Sequence, residues 1–316
     1  ISEGSGVDSV MGTWANRSPM LTARSNLAVA TASSGKFYVI GGYNEQVGYL
    51  ATVEEYDPVT DIWISRAPMS TARQGLAVAS APNGKLYAIG GWNGDNLTTV
   101  EEYDPATNAW TARASMPTAR ELLAATIAPN GKLYAIGGHN HQVGYLATVE
   151  EYDPETHTWT TRNPMLTGRG LLAATVAPNG KLYAIGGSNH QEGYMATVEE
   201  YDPATDTWTA RVPMPTPRYW LAVATAFNGK IYAVGGDGES GYLALVEEYD
   251  PTTGTWAVRT PLLTARRGLA AASASSGKIH TFGGDNYGAL ATVEEFTPPK
   301  DEYGYNILRN TLRGGL

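Results

Sequence analysis

The stretch RQGLAVASAPNGKLYAIGGWNGDNLTTVEEYDPATNAWTAR, residues 73–113, contains four short extended runs and no helical period. Its first run, GLAVASA, is small and apolar, which is typical of a strand buried on both faces. Asn83-Gly84 predicts a tight hairpin turn into the second run, KLYAIGG, and TVEEYDP forms the third run. Asp104-Pro105 then predicts a turn into the fourth run, AWTAR. The stretch therefore predicts a sheet of four antiparallel strands.

This pattern recurs along the chain with a nearly constant period. The distance from the Trp of a fourth run to the next Gly-Gly doublet is 27 residues in all six repeats, whereas the distance from a doublet to the following Trp varies between 20 and 22 residues. Length changes are therefore confined to one segment of each repeat, and a period of 47 to 49 residues is typical of β-propeller blades. The Trp residues are Trp14, Trp63, Trp110, Trp159, Trp208 and Trp256, and the doublets begin at Gly41, Gly90, Gly137, Gly186, Gly235 and Gly283.

The two ends of the repeat array complete each other. Three strand runs follow Trp256 without a fourth, and Trp14 stands in a fourth run that has no third run before it. We expect residues near 13–17 to supply the fourth strand of the last blade, because this pairing removes a free sheet edge. The predicted fold is all-β: a six-bladed β-propeller of four-stranded antiparallel blades over residues 13–297, with the ring closed by an N-terminal strand.

Two short segments lie outside the predicted propeller. Residues 1–12 are predicted to be an N-terminal extension, and residues 298–316 a C-terminal tail or linker in which Ile307 and Leu308 could line one side of a short helix. The chain starts at Ile1, and its first ten residues lack the charged and apolar regions of a secretion signal, so we expect a processed or trimmed product. The sequence does not indicate a compartment.

Composition excludes several classes of protein and site. A net charge of −9 and a pI near 5.1 argue against nucleic-acid binding, which needs a basic surface. No apolar run approaches the roughly 18 residues of a membrane-spanning helix. The chain has no Cys, so it has no thiol nucleophile, disulfide, cysteine-ligated zinc or iron–sulfur cluster. It also has no G-x-S-x-G, H-E-x-x-H or phosphate-loop motif.

The repeated residues resemble those of a known family. Five of the six Gly-Gly doublets are followed by a Tyr and, seven residues later, by a Trp, such as Tyr56 and Trp63, and an Arg opens each first strand. With these residues the chain resembles the kelch repeat family over about residues 13–297. The resemblance implies a propeller, and it leaves function open because kelch propellers include both partner-binding modules and enzymes.

Two enzyme branches of the family provide alternatives. A resemblance to the galactose-oxidase branch would imply a copper site with a Tyr–Cys crosslink, which a chain without Cys cannot form. A resemblance to the sialic-acid mutarotase branch would imply acid–base chemistry at the central mouth, for which Glu121, Arg267 and His139 are the candidates. These three residues are expected to come from different blades, and no spacing in the sequence supports them as a catalytic set.

Charged residues that recur in every repeat are interpreted as scaffold. Six T-x-R arginines match six VEE segments in number, so each Arg is expected to pair with a Glu of a third strand, because buried charges must be matched. The repeated Tyr and Trp are interpreted as packing between blades. Since the repeated charges nearly cancel, the net negative charge belongs to the variable segments. The six arginines are Arg24, Arg73, Arg120, Arg169, Arg218 and Arg266.

The variable segments are predicted to lie on one face of the propeller. In an antiparallel blade, the loop after the doublet opens on the same side as the connection to the next blade. Near-constant Asn residues two positions past the doublet are interpreted as setting loop conformation. The remaining residues of this face have the composition of a recognition surface. The predicted partner-binding residues are Tyr43, Trp92, Glu121, His139, Tyr219, Trp220, Asp237, Arg267 and Asp285.

The preferred interpretation is a non-catalytic, monomeric kelch propeller that binds a protein or peptide through this face. Its acidic residues are expected to act as rim charges that favour a basic partner. Glycan binding through Trp92, Trp220 and the Asn residues is an alternative. His139, His141 and His190 lie in two of the loops, but no carboxylate or Cys stands beside them at ligand spacing. We therefore expect solvent-exposed histidines, no metal site and no cofactor.

Overall fold

Six four-stranded antiparallel sheets form a ring in the computed structural model, which describes residues 8–299. The first strands of neighbouring blades contact one another all the way round the ring, so they surround its axis. Within each sheet the second, third and fourth strands follow outward in chain order, except that the fourth strand of the last blade is the N-terminal strand of the chain. The predicted six-bladed propeller is therefore confirmed for the described residues.

The strands have nearly the same length in every blade. First strands span Ala28–Thr31, Ala77–Ser80, Ala124–Ile127, Ala173–Val176, Ala222–Thr225 and Ala270–Ser273. Second strands span Phe37–Ile40, Leu86–Ile89, Leu133–Ile136, Leu182–Ile185, Ile231–Val234 and Ile279–Phe282. Third strands span Val53–Asp57, Val100–Asp104, Val149–Asp153, Val198–Asp202, Val246–Asp250 and Val293–Thr297. Fourth strands span Ile62–Arg66, Ala109–Arg113, Thr158–Arg162, Thr207–Arg211, Thr255–Arg259 and Thr13–Arg17.

Short hairpins extend the loops after four of the doublets. Their strands are Tyr43–Asn44 with Gly48–Tyr49, His139–Asn140 with Gly144–Tyr145, Ser188–Asn189 with Gly193–Tyr194, and Asp237–Gly238 with Gly241–Tyr242. In three of these hairpins the Asn after the doublet holds the loop, as predicted, whereas the fourth hairpin has Gly238 at that position. Asn44 donates from Nδ2 to Ala23 O at 2.8 Å and accepts the backbone N–H of Gln46 at 2.9 Å.

Burial explains the composition of the strands. Second strands lie between two blades with all four residues buried, and this is why they are continuous apolar runs. First strands are rich in Ala because six of them crowd around the axis. Fourth strands contain exposed and half-buried residues and no buried ones, because they form the outer edge of each blade.

The N-terminal strand closes the ring, as predicted. Thr13–Arg17 pairs antiparallel with Val293–Thr297, with Trp14 opposite Phe296 and their rings 4.9 Å apart. Arg17 Nη2 also lies 2.7 Å from Glu295 Oε1. The last blade therefore contains both ends of the repeat array. Thr13–Arg17 covers the edge that Val293–Thr297 would otherwise expose.

Aromatic residues join each blade to its neighbours, as expected for scaffold. The Trp63 ring lies 4.8 Å from that of Tyr56, and its Nε1 donates to Ser18 O, which follows the fourth strand of the preceding blade. Tyr38 packs 5.5 Å from Tyr103 of the next blade and donates to Glu55 at 2.7 Å. The same arrangement repeats round the ring, so these aromatic groups belong to the interblade contacts.

The T-x-R arginines are fully buried and each faces a Glu of its own blade's third strand, which confirms the predicted pairing. Five of the guanidiniums also donate to backbone carbonyls near the doublet, as Arg218 does to Gly235 O at 3.2 Å and to Ala233 O at 3.0 Å. Arg266 instead donates to Thr281 Oγ1 at 2.6 Å. The pairs are Arg24–Glu54, Arg73–Glu101, Arg120–Glu150, Arg169–Glu199, Arg218–Glu247 and Arg266–Glu294.

The ends of the chain are described only in part. Asp8–Met11 forms a four-residue helix within the predicted N-terminal extension. The C-terminal tail predicted from residue 298, with its helix around Ile307, lies outside the described residues from position 300 onward. Between residues 8 and 299 no helix has the length and apolar character that crossing a membrane would require.

Candidate functional site on the variable-loop face

The two variable segments of each blade pair with each other. The residue after each T-x-R arginine forms a backbone bridge with the residue after the doublet of the same blade. These bridges place both segments on one side of the ring, called the loop face below, and this confirms the predicted common face. The bridged pairs are Ser25–Tyr43, Gln74–Trp92, Glu121–His139, Gly170–Ser188, Tyr219–Asp237 and Arg267–Asp285.

A closed circle of backbone hydrogen bonds surrounds the axis on the loop face. In each blade the second residue after the T-x-R arginine donates its N–H to the carbonyl of the equivalent residue in the preceding blade, at 2.7 to 3.0 Å. All six residues have φ between 50° and 59°. Together with the Leu that follows each one, they line a small cavity. The six, called the mouth residues, are Asn26, Gly75, Leu122, Leu171, Trp220 and Gly268.

The mouth residues divide into two halves of different character. Leu122, Leu171 and Trp220 on three consecutive blades are apolar and bulky, whereas the other three are Asn or Gly. A positive φ costs a bulky residue about 1–2 kcal/mol relative to Gly. Gly75 and Gly268 show that Gly is accommodated in this circle, so the three bulky side chains are held there against a local preference.

Arg267 is the centre of the first side-chain cluster. Its guanidinium carbon lies 4.4 Å from the Trp220 ring centroid and 4.7 Å from that of Tyr242. Nη1 contacts Asp237 Oδ2 at 2.7 Å, and Nε contacts Asp285 Oδ2 at 3.3 Å. Two aromatic faces and two carboxylates thus hold this cation, in what we call the arginine cluster.

This pairing corrects one expectation about charge. Asp237 is 6% exposed and bonded to Arg267, so Asp237 and Asp285 are not the free rim charges that the sequence suggested. A buried, paired carboxylate has little reach into solvent, and replacing it affects stability. The exposed acids of the loop face are instead Glu45, Asp95, Glu192 and Glu239.

Glu121 is the centre of a second cluster, on the third blade. Its Oε1 lies 2.8 Å from His141 Nε2 and 3.9 Å from His139 Nδ1. The His141 ring centroid lies 4.3 Å from that of Trp92, with the two rings tilted by 40°, and the His141 backbone N–H donates to Asn96 Oδ1 at 2.8 Å. We call Glu121, His139 and His141 the histidine cluster.

The histidine cluster overturns the expectation that no carboxylate accompanies these histidines. Glu121 stands 20 residues before His141 in sequence, yet the backbone bridge to His139 brings its carboxylate between the two rings. Burial raises the pKa of Glu121, and the hydrogen bond with His141 opposes that shift. Burial and the neighbouring His141 lower the pKa of His139. The three ligand atoms lie within 4.8 Å of one another, which is a spacing that could hold a metal ion.

The structure therefore separates the predicted partner-binding residues into two groups. Tyr43, Trp92, Glu121 and His139 lie on the first three blades, where Tyr49 links the first two through its ring and its hydroxyl. Tyr219, Trp220, Asp237, Arg267 and Asp285 lie on the last two blades. The expectation that the three acid–base candidates come from different blades is wrong for two of them, because Glu121 and His139 are bridged within the third blade. Arg267 belongs to the sixth blade, on the opposite side of the ring.

Sequence reasoning missed four tyrosines of the loop face. Each closes one of the short hairpins and contacts a cluster or a neighbouring aromatic residue. A signal was present, since a Gly-Tyr pair follows four of the doublets at nearly fixed distance. These residues are Tyr49, Tyr145, Tyr194 and Tyr242.

Comparisons with known proteins agree with this architecture. The family model described as the KLHDC2/KLHL20/DRC7 Kelch-repeats domain matches residues 124–305, and the Kelch motif model matches residues 24–70 and 75–117. Among solved structures, the one titled "Structure of YjhT" superposes with a TM-score of 0.76 at 17% identity, covering 90% of this chain and 97% of that one. At that identity the likeness concerns the fold alone. No curated protein gives a significant sequence match.

Proposed function

The chain belongs to the kelch repeat family, and from this premise we propose that it is a non-catalytic binding propeller whose loop face recognises a protein or peptide. The proposal concerns the apolar half of the mouth and the arginine cluster beside it. Trp220 belongs to both, so it is the residue on which the argument rests.

Trp220 carries two local costs. It is held at φ 53°, which is unfavourable for a bulky side chain. Its indole Nε1 is enclosed, yet it donates to no acceptor among the described residues. An enclosed donor without an acceptor costs about 1–3 kcal/mol. Such costs concentrate at functional sites.

The surroundings of Trp220 suit a partner with an apolar group. Leu122 and Leu171 continue the apolar half of the mouth on the two preceding blades. Tyr219 and Tyr194 stack at 5.2 Å with an interplanar angle of 9° just outside it. Large aromatic residues beside a well-held Arg are the composition of binding hot spots.

Charge on the loop face favours a basic partner. The four exposed acids, Glu45, Asp95, Glu192 and Glu239, have no matching set of exposed bases there. Arg267 is the one base outside the repeated positions among residues 8–299, and it is already paired with two Asp residues. We therefore infer that the acids steer a Lys- or Arg-containing segment toward the mouth.

Selection of peptides from a random library on the immobilised propeller tests the proposal. We expect enriched peptides to carry Lys or Arg with an apolar residue, and to compete with one another. Trp220→Ala should weaken their binding by about 30-fold or more, mainly through faster dissociation.

The matched control is Phe227→Ala. Phe227 is on the same blade, 64% exposed, in the hairpin on the opposite face, so its loss should leave binding unchanged. Enrichment of acidic peptides, or equal binding by the Trp220 and Phe227 variants, would contradict the assignment. If the protein bound a glycan array and no peptides were enriched, the loop face would instead be a glycan-binding site.

A further inference from the structure

We propose that Glu121, His139 and His141 bind a transition-metal dication, with zinc as the preferred ion, on the loop face of the third blade. This inference stands on the histidine cluster and is independent of peptide recognition at the mouth. It assigns a site to residues that the repeat does not require, because no other blade carries this combination at the equivalent positions.

The donor set matches a common zinc site. Two imidazole nitrogens and one carboxylate oxygen, with a fourth position left open, are typical of zinc bound by three protein ligands. Tetrahedral zinc with bonds of about 2.0–2.2 Å places ligand atoms about 3.3–3.5 Å apart. Glu121 Oε1 lies 2.8 Å from His141 Nε2 and 3.9 Å from His139 Nδ1, so both separations lie within about an ångström of that value.

The ligands are held in place before any ion arrives. Glu121 and His139 exchange two backbone hydrogen bonds, at 3.0 and 2.8 Å, which fix their side chains next to each other. The His139 ring rests 4.8 Å from Tyr145. His141 is oriented by its contact with Trp92 and by Asn96, which also donates to His139 O at 3.2 Å. Such supporting contacts reduce the entropy lost on metal binding.

The electrostatics of the cluster favour a cation. The Glu121 side chain is 9% exposed, and the described bases nearest to it are the two histidines. A dication would compensate the enclosed carboxylate more completely than a neutral imidazole can.

The fourth blade provides an internal comparison. Its loop carries the same Asn-His-Gln sequence, with His190 equivalent to His141, but Gly170 and Ser188 replace the Glu and the other His. One imidazole without partners is a poor metal site. We therefore expect a single strong site per chain, on the third blade.

The test uses the full chain without a polyhistidine tag, freed of metal with a chelator. Zinc is titrated by calorimetry, and Co²⁺ by its visible absorption, which is intense when the ion is four-coordinate. We expect one Zn²⁺ per chain and an intense Co²⁺ spectrum that zinc abolishes. Affinity should fall as the pH is lowered, because protons compete for the imidazoles.

The substitutions are taken from equivalent positions of other blades, where the fold already accommodates them. Glu121→Gln introduces the residue of the second blade, Gln74, and His139→Ser introduces that of the fourth, Ser188. Each should weaken zinc binding by at least about tenfold, since even supporting residues of zinc sites contribute 10- to 100-fold. The control is His157→Asn, on the opposite face of the third blade, where the second blade has Asn108.

Three outcomes would overturn the proposal. They are the absence of a one-to-one zinc complex, equal zinc affinity in the Glu121→Gln and wild-type proteins, and loss of binding in His157→Asn alone. If a variant of the histidine cluster unfolds at a lower temperature than the wild type, the Co²⁺ spectrum of the wild-type protein still shows whether a four-coordinate site exists. A weak visible spectrum, typical of six-coordinate Co²⁺, would indicate that the ion binds to carboxylates elsewhere on the surface, and it would contradict the proposal.

Discussion

Arg218→Ala should remove the charge that compensates a carboxylate enclosed in the fifth blade. The Arg218 side chain is 0% exposed, and its Nη2 lies 3.0 Å from Oε2 of Glu247, which is 1% exposed. The same guanidinium donates to Gly235 O at 3.2 Å, to Leu245 O at 3.1 Å and to Ala233 O at 3.0 Å. The substitution would leave a buried anion without a cation and three carbonyls without this donor.

The expected loss in the free energy of unfolding is about 3–5 kcal/mol, the usual cost of breaking a buried ion pair from one side. That is a large part of the roughly 5–15 kcal/mol that stabilises a typical domain. Urea unfolding followed by Trp fluorescence measures it. The control is Lys132→Ala, whose ion pair with Asp153 lies at the surface and should contribute less than about 1 kcal/mol.

The pH dependence identifies the cause. Burial raises the pKa of Glu247, and the charge of Arg218 opposes that shift, so without Arg218 the folded-state pKa should rise further above the unfolded one. A raised folded-state pKa of an acid means that the penalty is present above that pKa and disappears as the pH falls below the unfolded value. The stability difference between Arg218→Ala and wild type should therefore shrink from pH 7 toward pH 4.

A second substitution completes the test. Arg218→Ala combined with Glu247→Gln removes the unpaired charge, so the double variant should be more stable at pH 7 than Arg218→Ala alone. A double variant no more stable than the single one, together with a stability difference independent of pH, would refute the argument that an unpaired carboxylate is the origin of the loss.

Two further predictions concern the ring itself. Removing the chain up to Arg17 should lower the melting temperature severely, because Val293–Thr297 loses its five-residue partner strand and Trp14 no longer covers Phe296. A chain beginning at Asp8 is the control and should melt like the wild type. Equal melting of the two truncated chains would disprove closure by this strand. Leu171→Gly should be more stable than Leu171→Ala by about 1 kcal/mol in urea unfolding, because Leu171 has φ 59° and Gly adopts that conformation without strain. The opposite order of stability would show that the circle of mouth residues accommodates side chains without strain.

Much of the fold follows from local spacing. The constant Trp-to-doublet distance predicts six blades, and the unmatched runs around Trp14 and Trp256 predict the closing strand. Equal numbers of T-x-R arginines and VEE segments predict the ion pairs, and the alternation of strand direction predicts the loop face. These inferences succeed because a blade is built from neighbouring residues and repeats the same contacts six times.

The clusters on the loop face required the tertiary structure. Glu121 meets His141, and Arg267 meets Trp220 and Asp237, through contacts between loops of one blade or of adjacent blades. The circle of mouth residues even joins Asn26 to Gly268, across the point where the ring closes. Such contacts depend on how the blades are arranged around the axis and on which way each side chain turns. Sequence alone therefore determined the scaffold and the face, while the ring geometry decided which charges are paired and which three side chains could share an ion.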